Sequence, residues 1–474
     1  MALSKFKTVG VKIFGPTDQS RSVPFNSQRT LNLFPEVNPE GRSTGALHSF
    51  PGAKSWSSGS DSEPDRGLYL MGNFAYKLSG TNLYKVDSLG AQTNIGTISG
   101  TGRAIFADNG GILVIVASGN VYTYDGTTFV AAAAGLFQTP NSVAQINNQY
   151  IYDGDADGWQ MSNVGAPTTF NGANYAFAES QGDDLKRAYS FNQLVYFFGD
   201  KSIEPWYDSG DGNPPFNRID GAIMEIGLEA TYSLANNEKA MYFLGSDRKI
   251  HRIVGQSESS VTPEWLHYKL SNFTTVSDAI GFCFTIYGQN FYCINFIAEN
   301  KTYCYSETTE FWFDLACGVT EDAHYASSYI YAFGKHLIAD RRNGNIYEWD
   351  FLTYTDNGTT IVRERTLQVI NSTPLDAPGQ RIQMSRFKLL VENGVGLITG
   401  QGENPQIMLT PSFDGGRTWG SEVTLNVGRM GEWSKVVEWY SLQSFYDLVI
   451  KLRMTDPVFW SLQDASIDIR LAGY

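Results

Sequence analysis

The sequence predicts an all-β protein: a β-propeller of six or seven blades, an extended N-terminal arm before it and a β-sandwich or jelly-roll-like domain after it. Three observations predict this. One short pattern returns seven times between about Gly67 and Thr366, the apolar runs inside it are nearly continuous, and beyond residue 380 the strands lengthen and alternate. The boundaries that follow are 1–65 for the arm and a ring-closing segment, 66–370 for the propeller, 371–380 for a linker and 381–474 for the sandwich.

The arm comes first. The stretch VPFNSQRTLNLFPEVNPEGRSTGALHSFPGAKSW is dense in Pro, Gly, Asn and Ser, with large apolar side chains set apart at Phe25, Leu31, Leu33, Phe34, Phe50 and Trp56. Such spacing suits a segment that packs on other structure through separate anchors. SFPGAKSW also suits a strand that closes the propeller ring.

The repeat unit is a hairpin. Its clearest copies are NLYKVD from Asn82, NVYTYD from Asn120 and NIYEWD from Asn345; GWQMSN, SIEPWY, KIHRIV and KTYCYS are weaker ones. The second residue of each copy gives the markers Leu83, Val121, Trp159, Ile203, Ile250, Thr302 and Ile346, spaced 38, 38, 44, 47, 52 and 44 apart. Before each marker lies a partner run, such as ILVIV or LVYFF, and a turn rich in Gly, Asn, Asp and Ser, the residues that tight hairpins require. Outer strands come from runs such as GLYLMG and GRAIFA, and four short strands in each 40 to 50 residues is the period of a propeller blade. Continuous apolar runs mean that both faces of each sheet are buried, as in stacked blades. The alternative is a large irregular sandwich with coincidental spacing, but a sandwich leaves one face wet.

Composition bounds the chemistry. Aromatic residues make up 14% of 474 residues, and no long stretch has helical periodicity, although Asp184 to Tyr189 could form a short helical turn. No run of 18 apolar residues occurs, and MALSKFKTVG lacks a signal-peptide core, so the expectation is a chain that neither spans a membrane nor is conventionally secreted. Cys283, Cys293, Cys304 and Cys317 fall in one repeat without a CxxC pair and read as buried core residues rather than zinc ligands. The five His are scattered, and GxSxG, HExxH and P-loop motifs are missing.

Two acidic loops stand out within the repeats. YDGDADGW places Asp153, Asp155, Asp157 and Gly158 in the order of a calcium loop, although its twelfth position is Val164 and cannot supply a bidentate carboxylate. Calcium is therefore a candidate cofactor there, and a solvated acidic turn is the alternative. YDSGDGNPPF reads as a long outer loop and a candidate partner contact. The net charge of −14 is uneven: +4 over residues 1–60, −1 over 380–474 and −17 between. A region so acidic does not hold nucleic acid by phosphate neutralisation, but it could let a polyanion slide past.

After the linker NSTPLDAPGQ come five longer alternating strands: RIQMSRFKLLVENG, QIMLTPSFDGGRTWG, WSKVVEWYSL, YDLVIKLRMTD and DASIDIRLAG. Ser412, Asp414, Gly415, Gly416, Thr418 and Trp419 fit an Asp-box hairpin, a turn in which Ser and Asp bond the loop backbone.

The run QRTLNLFPE followed by LHSFPG resembles the N-terminal signature of the packaged-DNA stabilisation proteins, the tail hub or nozzle proteins of short-tailed bacteriophages. Arg29, Thr30, Leu31, Asn32, Pro51 and Gly52 carry the match, and the S-x-DG-x-x-W turn and ASIDIR strand resemble that family's C-terminal region. The resemblance implies a virion structural protein without catalysis: a homo-oligomer, six to a ring, attached below the portal and adaptor. It implies a DNA channel without sequence-specific binding, retention of the packaged genome, and sites for a tail needle or tip and for fibres or spikes. The expected location is the virion tail, with assembly in the host cytoplasm. Arg29, Asn32, Phe34, Arg42 and Pro51 are the candidate partner-interface residues. The alternative function, resting on a propeller plus an Asp box, is a glycoside hydrolase, depolymerase or glycan-binding protein.

Overall fold

In a computed structural model, which describes residues 5–38, 40, 43–59, 62–132, 135–136, 138–154, 156–178 and 182–472, the chain is a β-propeller joined to a two-sheet sandwich. Six four-stranded antiparallel blades follow one another in the chain: 65–97, 105–132, 142–177, 185–218, 235–260 and 280–314. A seventh is composite. It takes three strands from Ala326–Ala332, Lys335–Asp340 and Ile346–Asp350, and its fourth from the N-terminal strand Gly52–Ser57.

Every marker of the sequence pattern falls on the third strand of its blade, and every partner run on the second. Leu83, Val121, Trp159, Ile203, Ile250, Thr302 and Ile346 are all buried. The physical reason is position: second and third strands have a neighbouring strand on each side and a neighbouring blade on each face. Burying one such apolar side chain contributes roughly 1.5–3 kcal/mol. At Trp159 the indole stacks on Phe197 of the next blade at 4.9 Å and meets Trp206 edge-on at 5.4 Å, so blades three and four share one core.

The four cysteines are free thiols in and beside blade six. Cys293 and Cys304 sit opposite each other on adjacent strands, and burial pushes the Cys304 and Cys283 thiols well above their ordinary range. They pack as core residues. Asp184 and the strand Leu185–Phe191 that follows it are extended, not helical; among the described residues the one α-helix is Glu264–Asn272, which packs between blades five and six.

The sandwich has a first sheet in the order 33–37, 45–49, 461–471, 382–391, 437–440, with Lys7–Val11 also paired to Ser461–Leu471. The second sheet contains Arg363–Thr366, Val449–Met454, Gln406–Ser412 and Val423–Asn426. One core fills the space between them, including Ile382, Phe387, Leu452, Trp460 and Ile467. The sandwich thus takes in Arg363–Thr366, upstream of the expected linker, and three strands from the first 49 residues. Strand edges that the C-terminal segment leaves open are covered by the N-terminal one.

Blade seven carries a titrating residue whose effect has a definite sign. His324 is buried, stacks on Tyr325 at 4.6 Å and accepts the Ala326 N–H at Nδ1 (3.1 Å). Burial, with Arg342 and Arg341 nearby, lowers its pKa to about 3. The folded state therefore binds this proton less well than the unfolded chain. Its contribution is intact above pH 6.5 and is lost on acidification at about 1.4 kcal/mol per pH unit. His324→Asn, which keeps an acceptor for Ala326, should remove that slope: in urea denaturation the variant gains on the wild type between pH 6.5 and 5. A constant difference across the window would refute the assignment.

Candidate functional site

The residues of the N-terminal signature converge on the seam between propeller and sandwich. The strand Ser27–Leu31 lies between the outer strand of blade six and the first strand of the sandwich's second sheet. It pairs in parallel with one (Leu31 opposite Asp314) and antiparallel with the other (Arg29 opposite Thr366). One continuous sheet of ten strands therefore runs from blade six through the arm into the sandwich.

Side chains reinforce this backbone weld. Arg29 Nε donates to Asp314 Oδ2 at 2.8 Å and Nη1 to Glu321 at 2.7 Å, with Glu364 at 3.8 Å. Burial works against the Arg29 charge, but Asp314, Glu364 and Glu321 outweigh it and raise its pKa above the ordinary arginine value. Arg453 closes the network by pairing with Glu321 and, at 3.4 Å, with Glu364. These pairs tie the arm, blade six and both sandwich strands around Glu364.

Next to it, Asn32 is buried with φ +52°, a left-handed conformation that Asn tolerates better than most residues. Its Nδ2 donates to the carbonyls of Ala316 (2.9 Å) and Val362 (2.8 Å), and Oδ1 accepts the Ala316 N–H at 2.9 Å. Phe34 packs edge-on against Phe291 of blade six. Phe50 does the same against Trp349 of blade seven at 5.2 Å, and Pro51 is buried after it. A Cβ on Gly52 would stand 2.4 Å from the Thr355 carbonyl oxygen and 2.7 Å from that of Thr353, so the Pro-Gly motif marks a crossing of two backbones.

Arg29, Asn32, Phe34 and Pro51, the residues expected to face a partner, are thus turned into their own chain. Arg42 lies outside the described residues. Sequence reading missed their counterparts on the other side of the seam. Arg365 is fully buried and donates to the carbonyls of Ile13 and Pro16, to Thr30 Oγ1 and to Gln28 Oε1; burial lowers its pKa to about 9. Arg363 donates to Ser49 Oγ and to the carbonyls of Val458 and Asp456, and burial lowers its pKa to about 10. The signal was the sequence RERT, two arginines on one face of a strand.

The candidate calcium loop is the hairpin of blade three. Asp153 is buried, and its Oδ1 accepts the N–H and the hydroxyl of Ser142 at 2.6 Å each. It is turned into the blade. Asp157 is partly exposed, and Asp155 lies outside the described residues; among the described residues no group of three metal-binding side chains forms. In the acidic loop of blade four, Asp208 accepts a hydrogen bond from Asn147 of blade three at 2.6 Å.

At the Asp box, Asp414 accepts the backbone N–H groups of Arg417 and Thr418 and the hydroxyls of Ser412 and Thr418, and these bonds hold its carboxyl far below the usual range. Trp419 stands partly exposed with the Lys451 ammonium 4.0 Å over its ring. Between the arm and the helix Glu264–Asn272 lies a cleft of about 650 Å³, floored by Trp265 and Trp312 with Glu264 and Glu310 at its rim.

The two bodies correspond to two family models. Residues 11–354 match the bacteriophage P22 Gp10 β-propeller and residues 368–470 match the bacteriophage P22 Gp10 β-sandwich. The chain belongs to the P22 Gp10 family. As a Gp10-family chain it is a member of the short-tailed phage DNA-stabilisation or tail hub proteins, a family of phage structural proteins, as the N-terminal signature implies. That signature now has a physical meaning in this Gp10-family chain: it is the weld between the two bodies. No curated protein matches the chain.

Among solved structures, the Gp10-family chain is similar to a computationally designed protein, Ika8 (11% identity, 68% of this chain and 99% of that one, TM-score 0.40). It is also similar to the extracellular domain of the putative hybrid two-component system BT4673 from B. thetaiotaomicron (8%, 73% and 45%, 0.43). YCF48 bound to D1 peptide is a third (8%, 63% and 96%, 0.41). At these values nothing about function passes from them.

Proposed function

We propose that the chain is the hub of a short phage tail, six copies forming a ring below the portal and adaptor that retains packaged DNA and continues the ejection channel. The observation that carries the reading is the joint match of both bodies to one phage structural family. The weld supports it: a propeller and a sandwich sharing one ten-stranded sheet transmit load as one body.

The DNA path lies between copies and not along the propeller axis. Around that axis the innermost strands are bridged by aromatic side chains. Tyr69 of blade one stacks on Phe106 of blade two at 5.6 Å, and Tyr189 of blade four donates to Asn236 of blade five. Tyr232, between blades four and five, reaches across to donate to the Arg103 carbonyl before blade two at 3.0 Å. A duplex cannot thread so filled a centre. The acidity of the propeller then serves at its outer surface, where a ring-lining face would slide along a polyanion without holding it. Heterologous contacts between two different surfaces of the welded pair close such a ring. In this reading the chain assembles in the host cytoplasm and remains in the virion tail. It is tested by mixing the purified chain with the portal and adaptor assembly of its own particle and asking whether it adds as a ring.

A further inference from the structure

Where the hairpin turn of blade six meets the first sheet of the sandwich, aromatic rings surround an open pocket of about 140 Å³. Phe34 and His48 are register partners on the strands 33–37 and 45–49, with ring centroids 5.8 Å apart. From them the rings run on in both directions. His48 stacks on Phe459 at 5.6 Å, and Phe459 meets Tyr354 at 5.9 Å. Phe34 lies 6.3 Å from Tyr287, which meets Phe351 at 4.8 Å. The Tyr354 hydroxyl donates to the Phe351 carbonyl at 2.9 Å and closes the circuit. Burial, with Tyr287, Glu392 and Asp350 adding to it and Arg363 opposing, pushes that hydroxyl up to about 12, so it stays a donor.

The pocket opens to solvent on one side. Tyr287 is 66% exposed at the tip of the blade-six turn, with φ +50°, and Glu36 stands exposed at the rim. Gly or Asn is the usual residue in that left-handed region, and here a tyrosine sets its ring at the mouth. Glu36 has His48 Nε2 at 3.4 Å and no Lys or Arg pair among the described residues. Burial lowers the His48 pKa, so at neutral pH the imidazole is uncharged and leaves the carboxylate without a counter-ion. Arg363 Cζ stands 6.0 Å from the Tyr354 centroid, but its donors are taken by Ser49 Oγ and the carbonyls of Val458 and Asp456.

Rings that served only to pack the seam would close on one another. These leave a space with aromatic walls and an acidic mouth, which suits a cation drawn to ring faces. A primary ammonium would bring three N–H donors to walls that offer few acceptors, whereas a quaternary one has none to satisfy.

We infer that this pocket binds one small quaternary ammonium group of the choline class, its methyls against the rings and its charge toward Glu36. The site does not depend on ring assembly. Its occupant touches propeller and sandwich at once.

Titration calorimetry of the full chain with choline chloride, at constant ionic strength, tests this. Saturable binding of one choline per chain is expected, and dimethylbutanol, its uncharged carbon isostere, should bind about fivefold more weakly or worse. Tyr287→Asn, which removes the ring and keeps a residue suited to the turn, should weaken choline by about fivefold or more. Glu36→Gln, which keeps an acceptor for His48, should weaken it by about threefold. Tyr446→Ser removes an exposed ring elsewhere on the sandwich and should leave it unchanged. Phosphocholine provides a second arm: binding of both supports a head group carried on a larger molecule, and binding of choline alone supports the free cation. No saturable binding, equal binding of dimethylbutanol, or unchanged binding by a folded Tyr287→Asn would overturn the site.

Discussion

Replacing Arg29 by alanine is expected to destabilise the protein by about 3 kcal/mol, the cost of stripping the cation from a largely buried carboxylate network. Of the three carboxylates, Glu321 and Glu364 would keep Arg453, while Asp314 would have no salt bridge among the described residues. Arg29→Glu should be worse, because it adds a fourth like charge. Arg29→Lys should fall between, since one ammonium cannot present the separate Nε and Nη1 donors that meet Asp314 and Glu321. Because this network joins two bodies, calorimetry should also show the single transition separating into two. Wild-type urea and thermal midpoints for Arg29→Ala would mean that the ten-stranded sheet alone makes the weld.

Gly52→Ala should cost about 3 kcal/mol or more, at the upper end of overpacking effects. The added methyl would meet backbone atoms of Thr353 and Thr355, which cannot turn aside as a side chain can. The damage should be local before it is global. The strand Gly52–Ser57 would leave the edge of Ile346–Asp350, and amide exchange there should rise before the other blades respond. Gly10→Ala provides the contrast: nothing lies within 4 Å of the added atom, and its effect should stay within about 0.5 kcal/mol. Equal behaviour of the two variants would remove the backbone crossing as the reason for the Pro-Gly motif.

What the sequence made legible was local. Each hairpin announces itself through turn residues and the apolar runs beside them, which is why all seven markers fall on third strands. The five alternating runs beyond residue 380 likewise fall on sandwich strands, as at Ser461–Leu471, where buried and half-buried positions alternate from Ala465 to Arg470. The weld was hidden because its pairs are distant in sequence: Leu31 with Asp314, Arg29 with Thr366, Lys7 with Ile469. A polar residue on an apparent arm suggests a partner elsewhere, whereas Arg29 and Asn32 find theirs within the chain. Asn32 did carry a clue, sitting between Leu31 and Leu33 in an apolar run, where a polar side chain is retained for buried backbone groups.

The measurement that bears most directly on the hub reading is the light-scattering mass of the portal and adaptor assembly before and after the purified chain is added. The account predicts an increment of six chains, whether or not the chain self-associates beforehand. An unchanged assembly with the chain left as free monomer would contradict it.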